Sequence, residues 1–184
     1  IEHKKFKQIE DEIKSLNPSN LVNYDEKREV GENDSQICSF IRNNSLEDFK
    51  SLVKQNKISL ESEIKPSIFE TNSFLLDKNP TLIEYAAFFG STKIIRYLID
   101  KKVKISEKIW LFAVHSNDIK LINFLERNHV EPENQNYEEC FLESIKCHHN
   151  NIAKHIDEKF LMGKKNTENY ISCSFKYQNY LNFP

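Results

Sequence analysis

Five side chains in the second half of the chain form its one ligand-rich cluster: Cys140, Cys147, His148, His149 and His155. Zinc takes thiolates and imidazoles that converge tetrahedrally at roughly 2.0–2.3 Å. The spacing works against convergence. On one helix Cys140 and Cys147 fall two turns apart on the same face, about 10 Å along the axis, so they cannot share one ion there. His148 and His149 fall in a turn, and His155 falls on the next helix. The expectation is no metal and no cofactor, with Cys147 filling a repeat position and the histidines serving the turn.

Catalytic pairings are no better supported. Serine, histidine and aspartate are present, but no nucleophile elbow or phosphate loop is written in the chain. His115 and His129 can each be matched with acidic neighbours, as any histidine can in a chain that is 29% charged. The pair Glu138-Glu139 fits a helix N-terminus, where backbone N–H groups favour negative charge. No enzymatic activity is expected. The net charge of -2 and the short basic runs Lys4-Lys5, Lys101-Lys102-Lys104 and Lys164-Lys165 argue against nucleic acid. The longest apolar run, Ile109 to Val114, is far short of the roughly 20 residues of a membrane span. Cys38, Cys140, Cys147 and Cys173 read as reduced thiols, which places the expected protein in the cytoplasm.

The elements that would carry any site are helical. In NPTLIEYAAFFGSTKIIRYLIDKK (residues 79–102) Gly90 separates two stretches with apolar residues at helical spacing, which predicts a tight helical hairpin. Ile83 lies three positions before Ala86, with Ile95 and Leu98 nine and twelve positions after it. The same offsets recur around Ala113 with Trp110, Ile122 and Leu125, and around Ser144 with Phe141, Ala153 and Ile156. A looser copy has Ile37, Phe40, Phe49 and Leu52, and Ile171 with Ser174 begins another. Residues three apart share a helical face, and the nine-residue step carries the chain through a turn to the second helix. A single hairpin of this kind cannot bury its stripe alone and must stack on a neighbour. The fold class expected is all-α.

The Thr81, Ile83, Ala86, Ala87, Gly90, Ile95 and Leu98 pattern resembles the ankyrin consensus, from which it departs at Leu82 (for Pro), Glu84 (for His) and Lys102 (for Gly). The stretches KPSIFETNSFL, PTLIEYAAFFGS, HVEPE and ESIKCHHNNIA are similar to a protist domain of unknown function found in trichomonad ankyrin-repeat proteins. The resemblance covers about residues 36–160. It implies an ankyrin-like solenoid with an interaction role, and it brings no activity or cofactor with it. In ankyrin stacks the two positions after the small pair lie along the concave face. Here they are Phe88-Phe89, His115-Ser116 and Lys146-Cys147, with Arg42-Asn43 in the loose copy, and these eight are the expected partner-binding residues. The partner expected is another protein, with its identity and the oligomeric state left open.

The expected organisation has three parts. Residues 1–34 hold an amphipathic helix (Phe6, Ile9, Ile13 and Leu16 on one face) and a polar linker, KREVGEND. That helix reads as a cap over the first hairpin, or as a partner helix. Residues 35–162 hold the repeats, interrupted by an inserted loop at 58–80 anchored by Ile68, Phe69, Phe74 and Leu75. Residues 163–184 begin a further, truncated repeat after a polar linker.

Overall fold

The computed structural model describes residues 23–180, so the amphipathic helix expected over residues 1–16 lies outside the described residues. Eleven α-helices run through them: α1 (Tyr24–Val30), α2 (Gln36–Arg42), α3 (Leu46–Gln55), α4 (Ser73–Lys78), α5 (Leu82–Phe88), α6 (Thr92–Asp100), α7 (Ile109–His115), α8 (Ile119–Arg127), α9 (Tyr137–Lys146), α10 (Asn150–Ile156) and α11 (Thr167–Lys176). The described residues hold no strand, only an isolated antiparallel bridge between Glu63 and Thr81. The all-α expectation therefore holds.

The described chain divides into two compact units, one of residues 23–35 with 66–78 and a larger one of residues 36–65 with 79–180. In the larger unit α2 packs on α3, α5 on α6, α7 on α8 and α9 on α10. The first helices also pack on one another in chain order, α2 on α5, α5 on α7, α7 on α9 and α9 on α11.

One turn geometry recurs in every copy. Asn44, Gly90, Asn117, His148 and Gln178, each four residues beyond the template position held by Ala86, all have left-handed backbone with φ of 51 to 65°. This is the αL stop that ends helices, satisfying carbonyls the helix leaves unpaired. In four copies the next N–H then reaches back to the template position: Ser45 to Phe40, Ser91 to Ala86, His149 to Ser144 and Asn179 to Ser174. Gly90 thus makes the turn the sequence assigns to it. Lys102 also adopts positive φ, 61°, where the consensus has glycine, so the turn is kept without it. Glu84, at the consensus histidine position, forms a capping box with Thr81 and accepts from the Ser106 hydroxyl.

In the three central copies the repeated offsets are the core, whereas in the looser first copy Ile37, Phe40 and Leu52 are half-buried and only Phe49 is enclosed, and Ile171 of the last copy is 37% exposed. Ile83, Trp110 and Phe141 are at most 3% exposed, and Ala86, Ala113 and Ser144 are fully buried. Ile95, Ile122 and Ala153, with Leu98, Leu125 and Ile156, complete it from the second helices. Burying each large side chain stabilises by about 1.5–3 kcal/mol relative to exposure. The Trp110 ring N–H donates to the Val130 carbonyl at 2.5 Å, so its polar edge is satisfied in the interior.

The inserted stretch divides at its middle. Residues 58–65 stay with the larger unit, where the Ile64 N–H donates to the Pro80 carbonyl at 2.7 Å. Residues 66–78 belong to the smaller unit and include α4, whose start is capped by the Asn72 side chain accepting from Phe74 and Leu75 N–H. Phe69, Phe74 and Leu75 are buried as expected. Ile68 is not: it is 54% exposed and anchors nothing. Phe69 meets Tyr24 of α1 edge-on at 5.5 Å. The first residues of KREVGEND are helical, completing α1, and Gly31 ends it with φ 68°. A side chain at Gly31 would collide with Thr71, whose N–H and hydroxyl both bond the Gly31 carbonyl.

Candidate functional site

The left-handed turn stops each first helix at the same template position, so the residues just before it occupy equivalent places in successive hairpins. They touch one another along the larger unit. Arg42 Nη1 donates to the Tyr85 hydroxyl at 2.8 Å. The Tyr85 and Phe89 rings lie 4.8 Å apart, Phe89 meets Phe88 at 4.9 Å, and Phe88 stacks on His115 at 4.7 Å. His115 Nε2 meets Glu143 Oε1 at 2.9 Å, and Lys146 Nζ bonds the same oxygen at 2.9 Å. Cys147 Sγ lies 3.4 Å from His115 Nδ1, and Lys146 sits over the Tyr177 ring at 6.0 Å.

Six of the eight expected residues therefore join one row: Arg42, Phe88, Phe89, His115, Lys146 and Cys147, all half-buried. Two do not enter it. Asn43 is exposed and its amide reaches back to Ser39 of its own helix at 3.5 Å. Ser116 serves its own turn, donating to the Ala113 carbonyl at 2.7 Å and accepting from the Asp118 N–H.

Three members of the row fall outside the expected set: Tyr85, Glu143 and Tyr177. Tyr85 and Glu143 each stand one position before the small residue of the hairpin, three and four positions ahead of the pair. Residues at that separation are neighbours on a helix, and this is the signal that would have found them. Burial raises the pKa of the Glu143 carboxyl, but hydrogen bonds from His115 and Lys146 outweigh it and hold the group below its ordinary value. The Cys147 thiol moves the other way. Burial and the Glu143 charge push it up to about 11, with Lys146 opposing, so it stays protonated at neutral pH. An open groove of about 470 Å³ runs beside the row, lined by Glu139, Glu143, Lys146, Asn169, Cys173 and Tyr177.

The five potential ligands first singled out do not converge. Cys140 is buried in α9, with its thiol raised to about 12 by burial first and then by Glu139. His148 is exposed, His149 donates to the Val114 carbonyl, and His155 donates to Glu126 at 2.6 Å. A different trio does converge: ligand atoms of His115, Glu143 and Cys147 all lie within 4.8 Å of one another. Among the described residues no helix is long and apolar enough to cross a membrane. Compared with protein-family models, curated proteins and solved structures, the chain matches none of the three.

Proposed function

We propose that this chain is an ankyrin-like solenoid of stacked hairpins that binds another protein in the cytoplasm through the row at the ends of its first helices. The observation that carries this reading is the contrast between frame and row. In the three central hairpins the frame positions are apolar or small and buried, as in Ile83 with Ala86, Trp110 with Ala113 and Phe141 with Ser144. The row changes from guanidinium and phenol to paired phenylalanines, then to imidazole, carboxylate and ammonium. Side chains free of the demands of packing vary in this way when they serve recognition. Aromatic and arginine side chains are also those most often found as binding hot spots. The protist repeat-domain resemblance agrees with an interaction role.

One feature favours a second reading. The row residues are half-buried and largely satisfied by each other, which suits a purely architectural segment whose binding surface lies elsewhere. Affinity purification with the chain as bait, beside a Phe88→Ala/Lys146→Ala bait of equal thermal stability, separates the two. A partner held by the first bait and lost by the second supports recognition by the row. Partners indifferent to both changes favour architecture.

A further inference from the structure

We propose that His115 Nε2, Glu143 Oε1 and Cys147 Sγ form a metal site of the zinc class, with three protein ligands and a fourth position open to water. Glu143 and Cys147 are four apart near the end of α9 and so share a helical face. His115 ends α7, which packs on α9, so two hairpins contribute the ligands. Phe88 stacks on the imidazole face at 4.7 Å and leaves the ring nitrogens at the edge, where Glu143 and Cys147 lie.

The distances are close to those a metal imposes. Bonds of ~2.0 Å to nitrogen and oxygen and ~2.3 Å to sulfur, at a tetrahedral angle, place N and O about 3.3 Å apart and N and S about 3.5 Å apart. Here Nε2 lies 2.9 Å from Oε1 and 3.9 Å from Sγ. Oε1 and Sγ lie within 4.8 Å of one another, so closing on an ion moves side-chain atoms by up to about 1 Å, on the order of side-chain rotation. A thiolate among the ligands selects zinc-class metals over magnesium or calcium.

Lys146 Nζ now supplies the positive charge beside Glu143 Oε1, at 2.9 Å. Lys146 is 35% exposed and can turn to solvent. On binding, the thiol releases its proton to solvent. The proton that His115 Nε2 donates to Glu143 is released to solvent and one is taken up on Nδ1 in exchange, which frees the Nε2 lone pair for the metal. Thiolate and carboxylate then balance the charge of the dication.

The inference does not depend on the partner-binding reading, because it is tested on the isolated chain. Untagged protein stripped of metal is titrated with Co²⁺, then with Zn²⁺, and circular dichroism confirms the fold of every variant. The expected result is one equivalent of Co²⁺ with a thiolate-to-cobalt charge-transfer band, displaced by zinc. Cys147→Ser should abolish that band while Cys173→Ser keeps it. His115→Ala and Glu143→Gln should weaken zinc binding at least about tenfold, and Lys146→Met should strengthen it. Absence of a thiolate band, or a band that survives in Cys147→Ser, overturns the site.

Discussion

His149 donates through Nδ1 to the backbone carbonyl of Val114, 35 residues earlier, at 2.8 Å. The same strut joins other hairpins: the Ser91 hydroxyl donates to the Ile41 carbonyl at 2.5 Å, and the Asn179 amide to the Ile145 carbonyl at 2.8 Å. In each case the donor is the residue after the left-handed turn, and the acceptor follows the template position one hairpin earlier. Asp118 holds the equivalent place between α7 and α8. Its carboxylate has no proton to donate, and it caps α8 by accepting from the Lys120 N–H instead. The stack is thus cross-linked by polar bonds that local helix formation does not require.

Removing one strut should cost a measurable amount. Ser91 makes no side-chain cap bond to its own helix, so Ser91→Ala removes the strut alone. The expected loss is about 0.5–1.5 kcal/mol in urea unfolding, the net worth of a typical internal hydrogen bond. Ser45 stands at the same place in the first hairpin and likewise caps nothing with its side chain. Ser45→Ala should stay within about 0.5 kcal/mol of the unaltered protein. Equal losses at both positions would show that the strut carries no stability.

Ala113 tests the packing of the first helices. It is fully buried on α7, which packs against both α5 and α9. Ala113→Leu adds volume where neighbouring helices meet, and overpacking costs about 1–3 kcal/mol. That is a large share of the 5–15 kcal/mol by which domains are usually stable. A thermal melt unchanged by this substitution would place the small-residue register on the wrong face.

The frame was legible in the sequence because it is periodic. Offsets of three along one helix and nine across a turn repeat whenever one face is buried, so Ile83, Ala86, Ile95 and Leu98 could be read off without coordinates. The turns were legible for the same reason, even where Lys102 replaces glycine, since the flanking stripes fix where the helix must stop. Short capped pieces were less so. The six-residue α4 has no room for a periodic pattern, and only Asn72 marked its start. The convergence of Glu143 on His115 was legible only in part. The spacing from Lys146 and Cys147 puts Glu143 on their helical face, but nothing in the sequence pairs it with a residue 28 positions earlier in another hairpin.

Glu143 gives the row a dependence on pH. Its folded-state pKa is lowered, the hydrogen bonds from His115 and Lys146 outweighing burial. A depressed carboxyl adds stability that is fully present above its unfolded value and is lost as pH falls through the folded one. The window therefore lies at and below the ordinary value of 4.5. Glu143→Gln should be less stable than the unaltered chain at neutral pH, and the two should converge as pH drops below that value. Urea unfolding midpoints measured across this range provide the test. A gap that widened in acid would reverse the sign and contradict the pairing.

The four thiols should react in an order set by access and by charge. All are free. Cys38 and Cys140 are at most 1% exposed, and burial raises Cys140 to about 12, so neither should be modified until the protein unfolds. Cys147 and Cys173 are half-buried, and both are raised by burial first and by the Glu143 charge next. Cys147 also contacts the edge of the His115 ring, whereas Cys173 lines the open groove and its S–H points to the Leu142 carbonyl at 3.5 Å. Thiolate fraction and exposure together govern the rate. Cys173 should therefore be alkylated first and Cys147 second, with all four titrating in denaturant without reductant. Peptide mapping after timed alkylation reads the order directly. Early labelling of Cys140 would mean that α9 opens far more readily than its packing against α7, α10 and α11 allows.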